Sequence, residues 1–208
     1  RPGQVNLMTA GHGIAHTEES APGQTRMHTA QLWITLPARV ADMAPRFDHY
    51  PELPRWQQDG ADLVLLAGEW QGHRSPALVH TRLMGADVFS PADARLTLPL
   101  DPTFEHGVMP LTGAATVQGE VLAPDELLYL PPGASELALH LAAGTRAILI
   151  GGEPFGEDIT IWWNFVGHGR PYITEAQRDW QAGSARFGEV RGFDGPRLEA
   201  PPVPWATT

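Results

Sequence analysis

TAGHGIAHTEES, residues Thr9 to Ser20, sets two histidines, His12 and His16, and two carboxylates, Glu18 and Glu19, among glycines and alanines that keep side-chain bulk low. His16 and Glu18 stand two residues apart. On an extended strand alternate side chains share a face, so an imidazole and a carboxylate would converge on one spot. That is how a sheet or barrel offers two donors to a divalent ion. Imidazole nitrogen plus carboxylate oxygen suits iron, manganese, nickel, copper or zinc better than calcium. The two-residue pattern is weak by itself, and an arbitrary H-x-E more often sits on a solvated glycine-rich loop.

Composition narrows the function classes. The chain has 208 residues, 42% of them hydrophobic, enough for one large or two small domains with a real core. Its 22 glycines and 20 prolines favour many short elements joined by turns over long helices. A formal net charge of −10, with no basic run, argues against nucleic acid as a direct partner. No stretch approaches the roughly 18 apolar residues of a membrane span, and no signal peptide is visible; a cytoplasmic protein without membrane contact is expected. The lack of cysteine excludes disulfides and thiolate metal sites.

The longer phrase PGQVNLMTAGHGIAHTE, Pro2 to Glu18, closely resembles the second metal-binding motif of the pirin family, part of the cupin superfamily. QLWITLPA, Gln31 to Ala38, is similar to the phrase that closes the first barrel in that family, and Gly151-Gly152-Glu153-Pro154 matches its C-terminal turn. The resemblance implies an all-β fold of two cupin-type β-barrels (jelly roll, or double-stranded β-helix). The N-terminal barrel would hold one metal with three histidines and one glutamate. In the motif the last histidine and the glutamate are ligands, and they fall on His16 and Glu18. The resemblance also expects an H-P-H motif before Arg1. No H-x-H occurs among the 208 residues, so the first barrel is incomplete in this chain and half of its ligand set is visible. The cofactor implied is one divalent transition metal, Fe(II) first, with Mn, Ni, Cu or Zn as alternatives.

The domain organisation expected is 1–38 for the remainder of the metal-binding barrel, 39–55 for a connector, 56–152 for a second cupin barrel without metal, and 153–208 for a C-terminal helix and tail packing back on the barrels. Strands are predicted at Val5–Met8, Thr25–Leu36, Ala61–Ala67, Ala77–Leu83, Ala86–Phe89 and Arg95–Leu98. Others are predicted at Val108–Thr112, Ala115–Val117, Val121–Leu122, Glu126–Leu130 and Thr145–Ile150. One helix is predicted over Glu175–Ala182, with Thr174 as N-cap, Gln177 completing a capping box and Gly183 as the stop. Phe187, Phe193 and Trp205 are expected to hold the proline-rich tail. IWWNFVG, Ile161 to Gly167, departs from the phrase common in the family's best-known branch; Trp162 and Trp163 read as core or interface aromatics.

His12 and His28 are pocket candidates, although a loop or edge histidine without a role is the commoner case. His106 and His140 lack ligand partners at the matching positions of the second barrel. The resemblance implies quercetinase-type dioxygenase activity on a flavonol or similar polyphenol. A metal would lower the pKa of the substrate hydroxyl, His16 would stay bound, and Glu18 would act as the catalytic base. The alternative is a non-enzymatic iron-binding regulator or redox sensor acting through protein partners. A purely structural cupin fits less well, because His16 and Glu18 are both intact. The expected partners are a small aromatic substrate or a protein, and the chain is expected to be a monomer.

Overall fold

The computed structural model describes residues 3–20, 22, 23, 25 and 28–205. Arg1, Pro2, Ala21, Arg26 and Met27, which belong to stretches read above, lie outside the described residues. Two compact units emerge. One comprises Arg1–Leu7 and Phe47–Phe155, the other Met8–Arg46 and Gly156–Thr208.

Strand β1 (Val5–Thr9) pairs with β2 (Arg46–Tyr50), which lies inside the stretch read as connector. The first unit continues with β3 (Arg55–Gln58), β4 (Ala61–Trp70), β5 (His73–Arg74), β6 (Leu83–Ser90), β7 (Ala94–Pro99) and β8 (Glu105–Thr112). β9 (Ala115–Val117), β10 (Glu120–Leu122), β11 (Leu128–Leu130), β12 (Glu136–Leu141) and β13 (Thr145–Gly152) complete it. Two sheets result, one ordered β10-β9-β12-β7 and one ordered β11-β8-β13-β6-β4-β3 with β5 beside β4.

The sequence explains how the sheets close on one core. In β7, buried Ala94, Leu96 and Leu98 alternate with exposed Arg95, Thr97 and Pro99, the period of a half-buried strand. β12 answers with Leu137 against Leu98, Leu139 against Leu96 and Leu141 against Ala94. From the other sheet Leu63, Leu65, Val88, Val108 and Leu149 join the same cluster. Each such side chain contributes roughly 1.5–3 kcal/mol by leaving water. This is the cupin arrangement expected, with the barrel filled by hydrocarbon.

The second unit pairs β14 (Thr160–Trp162) with β15 (Phe165–Gly167) and adds helix α1 (Arg170–Gln181). Its core gathers Phe165, Ile173, Ala176, Phe187, Ala200 and Val203, with Trp162, Trp163 and Trp180 packed against them. The departure phrase IWWNFVG is therefore a tight hairpin whose tryptophans are core aromatics, as expected.

Several local expectations are corrected. The described part of Thr25–Leu36 is not a strand. Its β-branched and aromatic residues suit one, but a strand needs a neighbour for its backbone N–H and C=O groups, and none of the described strands pairs with it. Leu32, Trp33 and Ile34 are accordingly exposed. Residues Ala77 to Arg82 are also not a strand; β6 begins at Leu83. Ser75 diverts that chain: its hydroxyl donates to Leu66 O at 2.8 Å and accepts from Ala77 N at 3.2 Å, a local bonding pattern that competes with a ladder.

The helix starts at Arg170 with Gly169 as N-cap, because Pro171 fits the first turn. Thr174 is inside it and donates to Arg170 O at 2.9 Å instead of capping. Gly183, at φ +67°, follows the helix end as expected. Glu136–Leu141, absent from the strands predicted above, is a full strand. Phe193 does not pin the tail, being 41% exposed, whereas Ala200 and Val203 are buried.

Candidate metal centre

β1 delivers the chain to buried Thr9, after which Gly11 turns it at φ +54°. A Cβ at Gly11 would lie 2.0 Å from Met43 O, so only glycine allows this close approach. His12 N donates to that same carbonyl at 3.0 Å and Gly13 N closes the turn onto Ala10 O at 2.9 Å. The loop is tied a second time by residues far along the chain. Arg186 Nε donates to His12 O at 2.6 Å, and Ala15 N donates to Phe187 O at 2.7 Å. Arg186 is itself held by Asp179 at 3.1 Å and lies over the Tyr172 ring. The glycine-rich stretch is thus an anchored turn that leads into His16.

His16 and Glu18 follow on irregular chain, and both side chains are exposed. The alternation argument of a strand does not place them together here. Glu18 is oriented by another route: Gln31 Nε2 donates to Glu18 Oε1 at 2.7 Å, and Trp33 Nε1 donates to Gln31 Oε1 at 3.2 Å. Sequence reading missed Gln31 and Trp33 as supporting residues. Their signal was present in QLWITLPA, which puts an amide and an indole two residues apart. His12 is half-buried and contributes its backbone to the turn, while His28 is exposed.

Among the described residues no three His, Cys, Asp or Glu side chains stand together as a metal group. An imidazole and a carboxylate, both open to solvent, have the donor chemistry a divalent transition ion takes. They supply half the number that a four-donor site needs.

The mouth of the second barrel is organised differently. Asp101 accepts from Thr103 N at 2.9 Å and Thr103 Oγ1 at 2.6 Å, and pairs with Arg82 at 2.9 Å. The Thr103 bonds, with Arg82 adding to them, hold the Asp101 carboxyl below its ordinary pKa. Arg82 also pairs with Glu153 and lies over the Phe104 ring. Glu105 accepts from the Tyr129 hydroxyl at 2.9 Å, and His140 pairs with Asp93 at 2.8 Å. His106 is 3% exposed, with its Nδ1 unpartnered, and burial pushes its pKa down against the pull of Asp101.

Comparison with known proteins decides the family. The pirin C-terminal cupin domain matches residues 85–188, and the pirin domain matches residues 1–34. The chain belongs to the pirin family. Among curated pirin relatives, a Pseudomonas aeruginosa protein named "Putative quercetin 2,3-dioxygenase PA1205" is 53% identical over 205 residues, 99% of this chain and 65% of that protein. A pirin-like protein of Caulobacter vibrioides is 31% identical over 196 residues, 91% of this chain and 67% of its own length. A crystal structure of quercetin 2,3-dioxygenase from Acinetobacter baumannii superposes with a TM-score of 0.96 at 45% identity, covering 100% of this chain and 70% of that one. This pirin chain therefore spans about two thirds of the length of the relatives it matches. No helix among the described residues is long and apolar enough to cross a membrane.

Proposed function

We propose that this pirin is part of a metal-dependent, quercetinase-type dioxygenase acting on a flavonol or similar polyphenol. His16 and Glu18 are two of the donors to one divalent ion, Fe(II) in first place. The observation that carries the reading is the Gln31–Glu18 hydrogen bond: an exposed carboxylate beside a histidine is given a defined orientation by an amide from a distant part of the chain. The names of relatives that align with 99% and 100% of the chain supply the reaction class.

The ion, when bound, supplies Lewis acidity that lowers the pKa of a coordinated hydroxyl. The chain's own residues do the rest. His16 binds through a ring nitrogen and sets affinity. Glu18 has two oxygens, so one can rest on Gln31 while the other, a donor to the ion, would leave it to take the substrate hydroxyl proton and then return. The turn that leads into both residues is tied through its backbone, from His12 to Ala15. The remaining donors would be the histidines of the pirin pattern's H-P-H motif, which these 208 residues do not contain.

The test is elemental analysis of the full-length protein with aerobic flavonol consumption, for wild type, His16→Ala and Glu18→Gln. Metal is expected to fall in His16→Ala. Glu18→Gln is expected to keep part of its metal and lose turnover. A full metal complement in His16→Ala overturns the ligand assignment, and undiminished turnover in Glu18→Gln removes Glu18 as the base. A metal-loaded wild type that consumes no flavonol returns the protein to the regulator reading.

A further inference from the structure

The larger sheet of the first unit carries an ordered polar face on the side away from its core. Four neighbouring strands, in the order β13-β6-β4-β3, align two cross-strand ladders. Arg146, Phe89, Asp62 and Gln57 stand opposite one another, and Ile148, Asp87, Val64 and Arg55 do the same two residues along. The alternate residues Ala147, Val88 and Leu63 point into the hydrophobic cluster, so the ladders share the opposite face. With strands about 4.8 Å apart, a ladder of four spans roughly 14 Å. The two ladders together are large enough to seat one aromatic ring with its substituents.

A cavity of ≈ 440 Å³ opens on this face, lined by Arg55, Gln57, Asp62, Asp87, Phe89 and Arg146 among others. That volume is within the range of small-molecule sites. Its polar groups are held in place. Arg146 donates to Asp87 at 2.7 Å with its guanidinium 5.0 Å from the Phe89 ring centre, and the Asp87 side chain is only 14% exposed. Gln57 Nε2 donates to Asp62 at 2.8 Å. Arg55 donates through Nη2 to Gly3 O at 2.6 Å, a bond to a neutral carbonyl. Asp87 takes its hydrogen bond from Arg146 and meets Arg55 only through the field between them, so Arg55 is the guanidinium better placed to bond a new anion. Between the two guanidinium corners lie Val64, an apolar floor, and the Phe89 ring.

We propose that this cavity binds a small planar aromatic acid carrying hydroxyl groups, the hydroxybenzoate class. Its carboxylate meets the Arg55 guanidinium, its ring lies over Val64 beside Phe89, and its hydroxyls donate to the Asp62 or Asp87 carboxylate. A phosphate would gain nothing from the apolar floor and would be repelled by two carboxylates. A simple amine would bring no anionic acceptor to the Arg55 guanidinium. The site shares no residue with the candidate metal centre.

The test is calorimetric titration of the full-length protein with 4-hydroxybenzoate, with phenol as the comparator lacking a carboxylate. Saturable binding of the acid is expected, tighter than that of phenol. Arg55→Gln should weaken it by roughly tenfold or more, the effect of one charge-assisted hydrogen bond. Phe89→Leu, which keeps an apolar group in the sheet, should weaken both probes. Arg74→Gln removes the same charge from an exposed Arg74–Glu69 pair and should leave affinity unchanged. His16→Ala should also bind normally. No saturable binding, equal affinities in Arg55→Gln and Arg74→Gln, or loss of binding in His16→Ala would each overturn the proposal.

Discussion

Gln31 and Glu18 are 13 residues apart in the chain, yet the Gln31 amide donates to the Glu18 carboxylate at 2.7 Å, and Trp33 donates in turn to Gln31 at 3.2 Å. A carboxylate that must both bind and accept a proton needs its lone pairs aimed, and an exposed glutamate otherwise samples several rotamers. The two-bond relay limits that freedom.

Gln31→Leu removes the donor while keeping a side chain of similar volume. Outer-shell partners of metal ligands typically matter by 10–100-fold, so metal affinity is expected to drop by roughly tenfold. Competition with a chelator of known affinity in the full-length protein measures it. Unchanged affinity would make the Gln31 bond incidental to the site.

Strand β7 of the second barrel was legible in the sequence because it alternates cleanly. Leu96 and Leu98 of β7 show the period of two within five residues. The motif around His16 was legible as a phrase, not as geometry, since the residues that aim Glu18 lie in another segment. Thr25–Leu36 has strand composition, yet composition cannot supply the neighbour a strand pairs with. At the helix, a good N-cap at Thr174 competed with Pro171 three residues earlier, and the proline set the start. Arg186, which ties the ligand turn through His12 O, is 174 residues away from it, and no local pattern could reveal that bond.

His106 predicts a pH effect. Burial lowers its pKa below the ordinary 6.5, so the fold holds it neutral. The unfolded chain then binds the proton more readily than the folded one. The stability this contributes is present above pH 6.5 and is lost as pH falls through the lowered folded value. His106→Leu is expected to flatten that part of the curve, read as urea midpoints between pH 7.5 and about 5. A variant with the same slope as wild type would show that other groups carry it.

Leu65 is fully buried where β4 crosses the core of the first unit. Leu65→Ala removes its methyl groups and leaves a cavity that close-packed neighbours fill only in part. The expected loss is about 2–5 kcal/mol. A loss under about 1 kcal/mol, by urea unfolding monitored through tryptophan emission, would mean the core collapses around the gap.

Gly68 separates backbone strain from collision. It sits at φ +74°, just beyond the slip in β4–β6 pairing between Leu65 and Ala67. A Cβ there would lie 1.7 Å from Leu83 O, a backbone atom inside the neighbouring strand. Gly119, in the turn between β9 and β10, has φ +88° and nothing within 4 Å of the same construction. Alanine at Gly119 therefore meets only the left-handed backbone penalty, about 1–2 kcal/mol. Alanine at Gly68 meets that penalty and must also push apart β4 and β6, which the ladder from Asp62–Phe89 to Gly68–Met84 holds together. Gly68→Ala is expected to cost at least about twice as much as Gly119→Ala. Urea midpoints of the two variants, measured side by side, check the ratio. Equal midpoints would show that the strand shifts freely at the bulge and that glycine is needed there for its torsion angle alone.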